Sequence, residues 1–126
     1  MIILPWFDAA LSPNARAHWA KKAAAVKSAR TIAYLRTREA GFGKHTFAGY
    51  DGRIDIWIDF YAKTRRYPDG DNALAACKAY LDGIADALGV NDSRFVHHPF
   101  VMNETFEGGK IVIRDLGQML LPYFEQ

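Results

Sequence analysis

Long apolar runs are missing from this chain of 126 residues, and so are cysteine pairs, since Cys77 stands alone. No stretch approaches the roughly 20 apolar residues that a membrane helix needs, and Met1 to Phe7 is too short and too uncharged to read as a signal peptide. One thiol can make neither an intramolecular disulfide nor a thiolate zinc cage, so the expected compartment is a reducing one, most simply a cytoplasm. Bulk basicity is also lacking, because the net charge is only +2. Any contact with nucleic acid must then come from uneven placement of charge. With half its residues hydrophobic and 24% charged, the composition excludes intrinsic disorder, collagen and mucin-like stalks. A chain this long buries roughly two thirds of its unfolded surface, enough for a core without staples. No internal repeat, low-complexity segment or linker interrupts it, and a single domain over 1–126 is expected.

What charge there is falls in blocks. Residues 14–40 hold seven basic side chains (Arg16, Lys21, Lys22, Lys27, Arg30, Arg36 and Arg38) against the single acid Glu39. Lys63, Arg65 and Arg66 follow later, just before Pro68-Asp69-Gly70-Asp71-Asn72. The sign then reverses through Asp69, Asp71, Asp82, Asp86 and Asp92. A basic arm beside a carboxylate cluster suits a polyanion held electrostatically while a cation sits among the acids. A solvated, salt-bridged surface is the plainer alternative.

Periodicity supplies the coarse fold. Ile2 to Leu4 is a short β-prone start closed by Pro5, and Ser12-Pro13-Asn14 carries turn and N-cap chemistry. Residues 15–40, Ala-rich and free of Gly and Pro, predict a long helix that Gly41 and Gly43 stop. Residues 53–61 alternate, with Ile54, Ile56, Ile58 and Phe60 on one face and Asp55, Trp57, Asp59 and Tyr61 on the other, so a half-buried strand is expected. Leu74, Cys77, Leu81, Ile84 and Leu88 make an apolar stripe on a helix over 72–88, with Asp71 at the N-cap position. Residues 94–102 and 110–114 read as two strands of a hairpin; 116–126 cannot be placed. The class is α+β, a small mixed sheet of about four strands covered by two helices in the order β-α-β-α-β-β.

Asp69 and Asp71 flank Gly70 at a helix entrance, where carboxylates two residues apart can point at one cation. Mg²⁺ takes hard oxygen ligands and keeps several waters, so two or three carboxylates suffice, and Asp92 is the natural third. Such an ion can polarise a phosphodiester and activate water. The same residues also read as a cap and a plain turn.

Asp69-Gly70-Asp71-Asn72-Ala73-Leu74, then Leu81-Asp82-Gly83-Ile84 and Asn91-Asp92, resemble the RusA-type crossover-junction endonucleases, Holliday junction resolvases carried largely by phages and prophages. Leu4-Pro5-Trp6 and Leu11-Ser12-Pro13-Asn14-Ala15-Arg16 are similar to that family's opening, so the likeness runs from about residue 3 to 114. It implies a RusA-like fold and a homodimeric, Mg²⁺-dependent endodeoxyribonuclease (Mn²⁺ being an alternative ion). This hydrolase of DNA recombination and repair would make paired nicks in a four-way or branched junction, in the cytoplasm of a bacterium or phage-infected cell. Asp69, Asp71 and Asp92 match the family's catalytic, metal-holding carboxylates. No membrane and no small-molecule cofactor are implied. The family's lysine four residues after the second Asp is absent here, where Ala75 stands; Lys78 lies one turn further on.

A straight helix over 72–88 would be about 25 Å long, while four extended residues reach at most ~14 Å. Asp92 could then meet Asp71 only if the helix bends, with Gly83 or Gly89 as weak points, or if two subunits pack antiparallel and build composite active sites. The two-subunit arrangement is the favoured expectation. Asn14, Arg16, Lys21, Lys22, Lys63, Arg65, Arg66 and Lys78 are the expected DNA contacts. Trp6 and Phe7 are either core cover or a wedge stacking on unpaired bases. His97 and His98, in a strand, must point to opposite faces; His18 and His45 receive no role, and Cys77 is expected in the core. A catalytically inactive branched-DNA binding module is the alternative function, and an interaction protein using its acids only as caps is a third.

Overall fold

A computed structural model describes residues 1–119 of the chain. Four strands, β1 (Ile2–Pro5), β2 (Ile54–Tyr61), β3 (Phe95–Val101) and β4 (Lys110–Gln118), form one mixed sheet in the order β1-β4-β2-β3. β4 runs antiparallel to both β1 and β2, whereas β3 lies parallel to β2. The expected hairpin of the last two strands is therefore not formed, because β2 lies between them. Residues 102–109 carry the chain across β2 so that β2 has a neighbour on each edge. The chain is α+β with a four-stranded mixed sheet, as expected, and carries three helices among the described residues: α1 (Trp19–Glu39), α2 (Gly70–Ala76) and α3 (Lys78–Leu88).

The period of two in β2 sets the layering. Ile54, Ile56, Ile58 and Phe60 are fully buried and join Ile2, Leu4, Ile111 and Ile113 in one core with Ala29 and Ala33 of α1 and Ile84 and Leu88 of α3. As a central strand, β2 also buries its other face, where Asp55 is 6% and Asp59 3% exposed; this corrects the half-buried strand. Asp55 pairs with His98 at 2.8 Å and Asp59 accepts from Arg114 Nε at 2.9 Å. Trp57 stacks on His98 with ring centroids 4.0 Å apart, and the Arg114 guanidinium lies over Trp57 and Phe100. Asp59 Oδ1 has no hydrogen-bond partner among the described residues. Residues 120–126 of the stretch left unplaced by the sequence lie outside the described residues.

Helix α1 starts at Trp19, four residues later than expected. Its cap is His18, whose Nδ1 accepts from the Ala20 N–H at 3.2 Å, while Ala15 N–H donates to Ser12 in a preceding turn. Asn14 and Arg16 therefore sit in a loop rather than at a helix N-terminus. The second expected helix is divided at Cys77, a single turn residue between α2 and α3 whose backbone (φ −86°, ψ −3°) stays in the right-handed region. Gly83, expected as a weak point, instead lies against α1: a β-carbon there would stand 2.2 Å from the carbonyl oxygen of Arg30. Gly89 ends α3 in the left-handed conformation at φ +67°. Trp6 stacks on Phe7 and meets Phe60 edge-on, so it covers the core. Cys77 is wholly buried, and the loss of solvent pushes its thiol pKa up to about 12. No helix among the described residues is long and apolar enough to cross a membrane.

Candidate functional site

Two short turns and one helix break position the carboxylates. Asp69, in extended conformation, caps α2: its Oδ1 accepts from the Asp71 N–H at 2.8 Å and its carbonyl accepts from Ala73. The cap is thus Asp69 and not Asp71, because helical torsions begin at Gly70. Asp71 stands free and exposed in the first turn. At the other end, Asn91 caps a single turn over Asp92–Arg94 by accepting from Ser93 N–H at 2.9 Å, which fixes the backbone of Asp92.

Asp71, Leu74, Ala75, Lys78, Leu81, Asp92 and His97 of one subunit line a single open cavity of about 310 Å³. Asp71 and Asp92 of one subunit therefore border the same open space. The division between α2 and α3 falls at Cys77, not at Gly83 or Gly89. Asp69 is not among the residues lining that cavity, its nearer oxygen being spent on the cap.

Lys78 is the cation already in place. Its Nζ lies 3.0 Å from Asp92 Oδ2 and 3.1 Å from Asp82 Oδ1. These bonds hold the Lys78 ammonium above its usual pKa, Asp92 contributing most, and hold the Asp92 carboxyl below the usual carboxylate range. One turn on, Asp86 receives a two-pronged contact from Arg30 of α1 at 2.5 and 2.8 Å, which also lowers its pKa. Asp82, unassigned by sequence reasoning, is thus joined to Asp92 through one ammonium. Its spacing of four from Lys78 on a helix was the available signal.

The two histidines part as the strand period requires. His97 faces the cavity with Asp71 and Asp92, and His98 faces Asp55 across the sheet. Partial desolvation of the His97 ring, opposed by Asp92 and aided by Lys78 and Arg53, pushes its imidazolium pKa below the usual value. His97 is the second residue that sequence reasoning passed over.

Of the expected DNA contacts, Asn14, Arg16, Lys21, Lys22, Lys63, Arg65, Arg66 and Lys78 are all exposed. Lys22 and Lys78 share a second cavity with Leu11, Pro13, Val26 and Asp82, so the start of α1 approaches the carboxylates. The loop bearing Arg65 and Arg66 is tied down where the Tyr67 hydroxyl donates to the Asn103 carbonyl.

As a set of donors, Asp71 and Asp92 suit a hard divalent ion that keeps most of its water. They do not suit a dehydrated cage: among the described residues, no three His, Cys, Asp or Glu are gathered closely enough to enclose a metal. Lys78 already occupies one of these carboxylates, bonding Asp92 at 3.0 Å.

No protein-family model matches the chain. A Xylella fastidiosa protein bearing the name "Uncharacterized protein" is 48% identical to it over 116 residues, which span 92% of this chain and 75% of that one. At that identity and coverage, the chain belongs to the same family as the Xylella fastidiosa protein.

Proposed function

We propose that this chain is a Mg²⁺-dependent endonuclease of branched DNA, and that the RusA-type likeness of its sequence extends to its fold and its reaction. The observation that supports this most is that Asp71 and Asp92 line one cavity beside exposed basic residues. Asp71 and Asp92 would hold the ion, with Asp69 keeping the first turn of α2 in place through its cap. When bound, Mg²⁺ supplies polarisation of the phosphodiester and neutralisation of the leaving oxygen. His97 offers a ring nitrogen on the cavity wall that can take a proton. Lys21 and Lys22 on α1 and Lys63, Arg65 and Arg66 on the loop before α2 contact phosphates, so binding reads shape and charge and weakens steeply with salt. Two such subunits in a homodimer, each with its own site, would make the paired nicks of a resolvase.

A synthetic four-way junction, incubated with Mg²⁺ or with chelator, tests the proposal. Nicks should need Mg²⁺ and should vanish in Asp71→Asn. Mixing Asp71→Asn with Asp92→Asn subunits should restore no cutting, since each site is built from one chain. Failure to bind branched DNA at all would overturn the proposal.

A second reading, a branched-DNA binding module without catalysis, draws on the Lys78 contact that already neutralises Asp92 and on Ala75 standing where the resembled family has lysine. It expects junction binding without Mg²⁺-dependent cuts.

A further inference from the structure

We infer that Trp19 is a stacking platform for an unpaired base of a DNA strand, with Lys22 and Lys27 holding phosphates to either side of it. The inference rests on the branched-DNA reading given above and names the group that tells unpaired from paired DNA.

Trp19 opens α1 with 76% of its surface exposed, and the fold makes no use of its ring. The cap belongs to His18, whose ring lies 5.4 Å from the indole, and the side of α1 that enters the core is that of Ala29 and Ala33, with Ala25 and Ile32 beside them. At 3.6 residues per turn, Trp19, Val26 and Arg30 fall on one line down the helix, the side from which Arg30 reaches Asp86 of α3. Ala23, one turn after Trp19, is too short to cover the indole. Lys22 and Lys27 stand to either side of that line, and neither is paired with a carboxylate among the described residues. Lys22 and Val26 also line the groove that reaches Lys78 and Asp82, so the line leads from Trp19 to the edge of the carboxylate cavity.

An open ring between two unpaired ammonium groups matches the alternation of base and phosphate along a strand. Stacking accepts any base, because each has a π-face, and the surrounding charge complements a polyanion: α1 carries six basic side chains and no acid before Glu39. A helix lying on a membrane surface needs a broad apolar face opposite its charges, and the apolar side of α1 is already spent on the core. Base faces are covered in a duplex and open in a single strand or at a junction centre. The lysines therefore bind both, and the indole favours the unpaired form. Trp6, turned edge-on to Phe60, is not available for that task.

Fluorescence anisotropy with labelled oligothymidine, a duplex of the same length and a four-way junction tests the inference without any turnover. Trp19→Ala should weaken binding of oligothymidine by about five- to 150-fold, the scale of one aromatic stack, and binding of the duplex by less than about twofold. Trp19→Phe, which keeps a ring, should retain most of the single-strand affinity. The pair Lys22→Ala and Lys27→Ala should lower the slope of log affinity against log salt by about 1.4 for oligothymidine, while Trp19→Ala leaves that slope unchanged. Circular dichroism melts of each variant confirm folding.

Oligothymidine binding by Trp19→Ala within about twofold of the unaltered protein overturns the inference and leaves DNA binding standing, as does an equal loss on strand and duplex. An unaltered protein that binds the junction but not oligothymidine also overturns the inference alone. Loss of binding to phosphatidylglycerol vesicles in Trp19→Ala, with DNA binding unchanged, assigns the ring to a membrane surface and overturns it too. An unaltered protein that binds none of the three DNAs overturns this inference together with the proposed function.

Discussion

Replacing Gly83 by alanine measures how closely α1 and α3 must pack. A β-carbon at that position would sit 2.2 Å from the Arg30 carbonyl oxygen, 3.0 Å from its carbon and 2.9 Å from the Ala33 β-carbon, where ordinary contact begins near 3.4 Å. The worst obstacle is backbone, which cannot rotate aside as a side chain can. The helices must separate by about 1 Å, loosening Ala29 and Ala33 against Ile84 and Leu88 in the shared core. Overpacking of this kind costs about 1–3 kcal/mol, and the immovable carbonyl places Gly83→Ala at the upper end. Helix propensity acts in the opposite direction by about 1 kcal/mol. The net expectation is a loss of about 2 kcal/mol, or a melting temperature lower by about 6–12 °C for a chain of this size. Thermal and urea melts give both quantities. Adding Ala33→Gly should recover only part of the loss, since the carbonyl remains. Gly70→Ala is the control: nothing lies within 4 Å of its would-be β-carbon and its φ is not positive, so it should be neutral or slightly stabilising. A Gly83→Ala protein as stable as the original would show that the helices are not held at this distance, and the reasoning would fail.

Two further perturbations probe charges. Arg114→Ala removes the partner of Asp59, a carboxylate only 3% exposed whose other oxygen already lacks one, and should cost about 1–3 kcal/mol in urea melts; a double variant with Asp59→Ala should recover much of it. Acid should weaken the fold through Asp86 and Asp92: both carboxyls are held below the ordinary 3.8, so their contribution is complete above that value and is lost as the pH falls through their lower folded values. Melts of Asp86→Asn between pH 6 and 2 should show a shallower loss on the acid side than the original protein, and an identical slope would contradict the assignment.

Local pattern was legible wherever one face decides the outcome. The alternation of residues 54–61 foretold which β2 side chains enter the core, and it separated His97 from His98. Partners were not legible. β3 and β4 follow each other in sequence and each reads as a strand, yet the preference of β2 for a neighbour on both edges is a property of the whole sheet. Nothing near residues 102–109 announces it. The start of α1 was misplaced for a related reason: an alanine-rich run has helical propensity throughout, but the first turn forms where a side chain satisfies the free N–H groups, and here His18 does so. Gly83 misled because glycine in a helix has two uses, bending and close approach, and only the position of Arg30 on the facing helix distinguishes them. The carboxylates of the candidate site were all visible as residues, and so was the distance problem between Asp71 and Asp92. The break at Cys77 was hidden, since the thiol continues the apolar stripe of the helix it interrupts.

That break also bears on the missing lysine of the resembled family. Ala75 lines the same cavity as Asp71. Lys78 lines it too, from the first turn of α3, with its ammonium on Asp92 and Asp82. The positive charge is therefore moved rather than lost, from the Asp71 side of the cavity to the Asp92 side. Under the proposed function, an enzyme and a pure binding module differ at this one contact: nicking would need Asp92 free of Lys78, and binding alone would not.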